Sequence, residues 1–189
     1  MSTDNIVGGI PMHEDIVAFW FEEIEHKSWW SAEPAFDTLV RSRFGDVLQK
    51  AAQGECWGWR TEPRGRLAEI IVLDQFSRNI HRGQPQAFAQ DAMALALAQE
   101  AVAQNVHAAL QPLERGFLFM PYMHSESRVV HEVAEILYRE FGLKDNHDFE
   151  LRHKAIIDRF GRYPHRNAIM DRESTADELH FLQQPGSRF

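Results

Sequence analysis

LAEIIVLDQFSRN, residues 67–79, decides how the rest of the chain is read. Placed at 100° per residue its apolar side chains fall on nearly every side, and a helix apolar all round is a buried helix. Asp74 falls in line with Leu67, Ile71 and Arg78, so the same reading buries an acid and a base. A charge taken out of water without a partner is costly, so neighbouring elements must bring partners to both.

Outward from this helix the 3.6-residue period continues. Ile16, Phe19, Trp20 and Ile24 form one apolar stripe, and Phe36, Leu39, Val40, Val47 and Leu48 another. Further helices are readable at about 65–79, 86–103, 126–141, 148–160 and 175–183, punctuated by Gly83-x-Pro85, Gly142 and Gly161-x-x-Pro164. Thr175 and Glu178 make a capping box for the last of them. No stretch alternates as a strand would. The expectation is an all-α chain of stacked antiparallel helical hairpins, because short connections join antiparallel neighbours. The 189 residues fit a single helical domain, 1–189, with loosely ordered tails at 1–12 and 184–189. All five Trp precede residue 60, whereas 87–103 is rich in Ala, which points to large aromatics packing against helices that approach closely.

The composition, 44% hydrophobic and 25% charged, is that of an ordinary globular protein, and the single Cys56 excludes an internal disulfide. With no basic n-region and no run of about 18 apolar residues, a cytoplasmic protein without a membrane span is expected. A net charge of -8 repels nucleic acid, so no nucleic-acid partner is expected and any basic site must be local. One local excess stands out: six Lys or Arg against two acids between Arg152 and Arg172. Sixteen of the twenty basic residues are Arg, the better side chain for bidentate, partly buried pairing with carboxylate or phosphate.

Helical phase sends further charges inward. Asp91 lines up with Phe88, Ala92, Leu95 and Val102, Glu126 with Val130, Val133 and Leu137, and His153 with Phe149, Ile156 and Phe160. Two similar nonapeptides, DQFSRNIHR (74–82) and DRFGRYPHR (158–166), share Asp, Phe, Arg, His and Arg at the same five positions. They read as two ends of apolar helices, each carrying Arg or His where the helix dipole favours positive charge. One account is an ion-pair network of Asp74, Asp91 and Glu126 with Arg78, Arg82, Arg162 and Arg166 that locks helix register. The other is a cleft where surplus Arg, His and Asn hold an anion.

Other signals are weaker. Glu-x-x-His occurs at Glu23/His26 and Glu150/His153, a spacing used by dimetal bundles, but the further glutamates such a site needs are not evident apart from Glu126. No metal site is assigned. Nothing beside Cys56 lowers a thiol pKa, and a lone Cys is more often packing. His124-Ser125-Glu126 has triad residue types but consecutive positions, and Ser125 reads as a helix N-cap. Neither Gly-x-Gly-x-x-Gly nor Gly-Lys-Ser/Thr occurs, so no cofactor is expected.

LDQFSRNIHRG, AFAQDAMALALA, FMPYMHSES, FGRYPHRNAIMDREST and the early FWF resemble an uncharacterised bacterial family, a domain of unknown function with a tetratricopeptide-repeat-like helical fold. The likeness runs from about Ala18 to Leu182. It implies a superhelical hairpin array without an established activity, and recurrent polar residues at Asp74, Gln75, Arg78, Asn79, Arg82, Asp91, His124, Glu126, His153, Arg162, His165, Arg166, Asn167 and Arg172. The chain departs from the family pattern at His81 (usually Tyr), His131 (usually Gln) and Asp171 (usually Gly), the last at a place where positive φ suits Gly better than Asp.

The functional expectation is binding, and turnover if a base is present, of a small anionic or polar molecule in an Arg/His/Asn-lined cleft. Arg78, Arg82, Arg166 and Asn167 would grip it, and His124 or His165 would move protons. A helical-repeat protein-interaction module is the alternative by fold analogy, although no 34-residue repeat is found; a metal-dependent helical enzyme comes third. Oligomeric state is not readable.

Overall fold

The computed structural model describes residues 12–187. Among them there is no β-strand, and the chain is all-α. Of the tails expected to be loose, 1–11 and 188–189 lie outside the described residues. Met12 N donates to Asp15 Oδ2 (2.9 Å) at the start of the first helix, and Ser187 Oγ donates to Leu182 O.

The buried centre is the helix read first. It runs as α3 (Pro63–Ile71), a π turn (Val72–Phe76) and α4 (Ser77–Ile80), and every residue from Leu67 to Ser77 is buried. Gly65 lets α3 begin against the chain before it: a Cβ there would stand 2.0 Å from Trp59 O. Around this rod pack α1 (His13–Ala18), which runs into a second π turn (Phe19–Glu23), and α2 (Pro34–Ala52). Also against it lie α5 (Asp91–Ala103) and α6 (Pro112–Met123). Trp20 is fully buried edge-on to Phe76 (5.5 Å) and Phe117 (5.7 Å), while Phe44 stacks on Phe76 at 4.9 Å. Trp30 and Trp57, by contrast, are exposed. The Ala-rich helix meets the core through Ala94, Ala98 and Ala101, an i, i+4, i+7 stripe that brings backbones close.

Sequence periodicity does not foretell α6, because Gly116 to Met123 are all buried and Pro121 sits inside the helix. A helix without a polar face has no stripe to detect. Beyond it, α7 (Arg128–Phe141) packs on α6 and α8 (Lys144–Phe160), and α9 (Ala176–Phe181) closes the chain with the expected Thr175/Glu178 capping box. The inward face of α7 is His131, Ala134, Leu137 and Tyr138; Val133, expected inward, is 42% exposed. Ser127, not Ser125, stands at the N-cap, and Ser125 Oγ accepts from its N–H (3.2 Å). No helix of the described residues is long and apolar enough to cross a membrane. Cys56 is buried, and burial pushes its thiol up to about 12, in keeping with packing rather than nucleophilic chemistry.

Candidate functional site

Five of the expected residues meet where the π turn of the central rod faces the end of α6 and the start of α5. Asp74 is 1% exposed. Its Oδ1 stands 2.7 Å from His124 Nδ1, its Oδ2 accepts from Gln75 Nε2 (2.6 Å), and Arg78 Nη1 lies 3.0 Å from Oδ1. Arg78 also grips Asp91 through both Nη atoms (2.9 and 3.0 Å). Arg166 reaches the same Asp91 (3.2 Å) and donates to His124 O (3.0 Å). Its guanidinium is held between the faces of Phe88 (4.6 Å) and Tyr163 (4.7 Å).

These contacts fix the protonation of the dyad. Burial opposes ionisation of Asp74, but the charge of Arg78, together with hydrogen bonds from His124 and Gln75, outweighs it and holds the carboxyl well below the usual range. An ionised Asp74 can only accept, so His124 carries its hydrogen on Nδ1. Burial first, and Arg78 second, lower the His124 pKa, so the imidazole is neutral near pH 7 and Nε2 bears a lone pair. The His124 side chain remains 15% exposed, and Arg78 and Asp91 also retain some exposure.

Glu126 anchors a second cluster. It accepts from Tyr163 N (2.7 Å) and from both Nη atoms of Arg172 (2.6 and 2.9 Å); burial works to raise its carboxyl, but these partners keep it low. Asp171, before that arginine, has φ 53°, the left-handed conformation that Gly adopts freely. The remaining expected residues go elsewhere. Asn79 and Arg82 both bind Asp37 of α2, Arg162 forks onto Glu178 (2.6 and 2.8 Å), and Asn167 donates to Ser174 Oγ. His153 Nδ1 meets Phe149 O (2.9 Å), one turn back. The His165 ring lies beside Tyr163 at 5.5 Å, and burial lowers its pKa to about 4, that of His153 to about 3.

The surplus of arginine anticipated from the sequence is met by two acids it did not consider, Asp37 and Glu178. Each of Arg78, Arg82, Arg162, Arg166 and Arg172 has a carboxylate partner. Glu178 was legible only as a capping residue, and Asp37 lies more than forty residues before its partners. Sequence reasoning also missed the wholly buried pair His131–Glu150 (2.6 Å). His131 Nε2 faces Ser125 O (2.8 Å), which can only accept, so Nε2 bears a hydrogen; burial raises the Glu150 carboxyl. The Glu-x-x-His pairs divide likewise: Glu23 pairs with Arg43, His26 stacks on Trp29, and Glu150 and His153 bind different partners. Among the described residues, the His/Cys/Asp/Glu side chains close enough to share an ion are His13, Glu14 and Glu62, from neither pair.

A family model described as "Bacterial protein of unknown function (DUF924)" matches residues 16–186. Among solved structures, a protein of unknown function from Agrobacterium tumefaciens is similar at 34% identity and a TM-score of 0.86, over 90% of this chain and 96% of that one. No match was found among curated proteins.

Proposed function

For this chain, which belongs to the bacterial family of unknown function DUF924, we propose a small-molecule site centred on His124, Arg78 and Arg166. In it a polar or anionic ligand is bound and gives up a proton to His124 Nε2. The observation that carries the reading is the Asp74–His124 dyad. A buried carboxylate fixes the tautomer and leaves a lone pair on Nε2 of a side chain that keeps 15% exposure, the arrangement a general base requires. Arg78 and Arg166, which share Asp91, would stabilise negative charge developing on the deprotonated ligand, and Phe88 packs against both guanidiniums. His165, Asn79, Arg82 and Arg162 serve the surroundings rather than the ligand in this reading. The partner is a small molecule and not nucleic acid, in line with the net charge of -8. The chain acts as one domain in the cytoplasm.

The test is a thermal-shift screen of phosphates and carboxylates against wild type, Asp74→Asn and Arg166→Ala, together with an NMR titration of His124. At least one anion should stabilise wild type and lose its effect in Arg166→Ala, and Asp74→Asn should change the His124 titration. Stabilisation by no anion, with Arg166→Ala merely lowering Tm, would sink the proposal. A second reading, a protein-interaction surface, draws on Val129, Val133 and Ile136, an exposed apolar stripe at i, i+4, i+7 on α7. Affinity capture that returns no reproducible partner counts against it.

A further inference from the structure

Helix α7 carries more apolar surface than its packing uses. At 100° per residue its apolar side chains span an arc of about 200°, roughly twice the stripe that burying one face requires. Ala134, Leu137 and Tyr138 fill one half of that arc, against α6 and α8. Val129, Val133 and Ile136 make up the other half, and they are between 42% and 69% exposed. Among the described residues no other helix exposes two large apolar side chains three or four positions apart. Single apolar side chains on a surface are ordinary, whereas a row of three along one helix is the form that a helix interface takes.

The charges beside the row indicate what fits it. On its polar flank stand Glu132 and Arg139, two turns apart and both exposed. Arg139 meets only its neighbour Glu140, at 3.4 Å and with both side chains about half exposed, a weak surface pair. Lys154, the base that Glu132 influences across the hairpin, is itself bound to Asp158. Both flank charges are therefore available to a partner.

Two such helices related by a two-fold axis across the seam run antiparallel, and each flank then meets the same flank of the other helix. Setting Val133 against Ile136 of a second copy brings Glu132 opposite the second copy's Arg139, and the symmetry forms that ion pair twice. Val129 then comes to the far end of the other α7, where Phe141 is exposed. A parallel pairing would turn the charged flank toward Val130 and Leu137 and leave both charges without a counterpart. The row and its charges complement themselves in one orientation, which points to a copy of the same chain rather than to an unrelated protein.

We propose that α7 is the seam of a homodimer, in which a second copy packs antiparallel along Val129, Val133 and Ile136 and is held in register by two Glu132–Arg139 pairs. This rests on the α7 surface being an interface and not on the chemistry at His124. A seam of two helices is at the small end of stable interfaces, so association belongs in the micromolar range and weakens as salt screens the flanking pairs.

The experiment is sedimentation equilibrium of the full chain from low-micromolar to near-millimolar concentration, with Tm measured on each dilute variant. Wild type should pass from monomer to dimer across this range. Val133→Glu should stay monomeric throughout and keep the dilute wild-type Tm, because the side chain it replaces faces solvent. Glu132→Arg and Arg139→Glu each set like charges across the seam and should weaken the dimer about tenfold. Combining them restores opposite charges and should restore the dimer, a rescue specific to the antiparallel register. The proposal is overturned if wild type stays monomeric, if Val133→Glu dimerises as wild type does, or if the double variant associates no better than either single one. A monomeric chain that captures another protein through α7 would overturn the second copy while leaving the surface an interface.

Discussion

The stretches 74–82 and 158–166 carry the same Asp, Phe, Arg, His and Arg at the same spacing, and the fold uses them in opposite ways. In the first, Asp74 and Phe76 are buried, Arg78 turns inward and Arg82 turns out to Asp37. In the second, Asp158 is exposed beside Lys154, Arg162 sits at the rim on Glu178, and Arg166 is the buried one. The cause is where each helix stops. The first stays helical through Ile80, so its first and fifth positions share an inward face. The second breaks at Gly161, with φ 70°, after its third position, and a 3-10 turn at Pro164–Arg166 swings its ninth position inward. Arg78 and Arg166, which are not equivalent positions, thereby meet on one carboxylate. Residue type and spacing set what chemistry is available, and the helix end sets where it is delivered.

The contrast is broken most severely at its first position. Asp74→Ala leaves Arg78 and His124 short of a buried partner and should cost about 3–5 kcal/mol, lowering Tm by on the order of 10 °C, whereas Asp158→Ala should stay within about 0.5 kcal/mol. Equal losses in denaturant melts would mean that the two stretches are used alike. At the ninth position the order reverses: Arg166→Gln should cost roughly 2–4 kcal/mol and Arg82→Gln about 1 kcal/mol or less.

The eighth position sharpens the comparison through pH. His165 is held neutral in the folded chain down to about pH 4, while an unfolded histidine takes its proton near 6.5. Between those values the unfolded chain binds the extra proton, so this contribution to stability is complete above 6.5 and is lost as pH falls toward 4. His165→Gln should therefore flatten the acid side of the stability profile by about 1–3 kcal/mol, and His81→Gln, at a ring whose pKa burial also lowers, should flatten it less. The smallest effect belongs to the fourth position. Gly161→Ser, which gives the second stretch the residue of the first, forces a side chain into the left-handed region and should cost about 1 kcal/mol in the same melts.

Much of the fold was legible because most helices here bury a single face; α6 was not, because it buries nearly every face and shows no period. Of the site, Asp74, Arg78 and Asp91 were found by phase, Arg166 by the second nonapeptide, and His124 by its place in a motif that resembles a family. The phase argument failed where a residue lay outside the helix it was projected onto. Glu126 precedes α7, so projecting it through Val133 pointed at an exposed residue, while His131 on the true inward face was noted only as a departure from a pattern. Asn79, Arg82 and Arg162 were assigned to one centre because ion pairs to distant acids leave no trace in local spacing. Pairing across forty residues is a property of how helices stack.

The turn at Val72–Phe76 has a bearing on descent as well as on shape. A π turn holds one residue more than the α-helical turn it replaces, so everything after it is rotated by about 100° relative to everything before. Deleting any one residue from this stretch would restore an unbroken α-helix and still leave Leu67 and Ile71 in the core. It would also carry Arg78 away from Asp91 and Asn79 away from Asp37 in one event. Both polar regions on this rod thus share a single point of failure, a reading frame written in backbone rather than in codons.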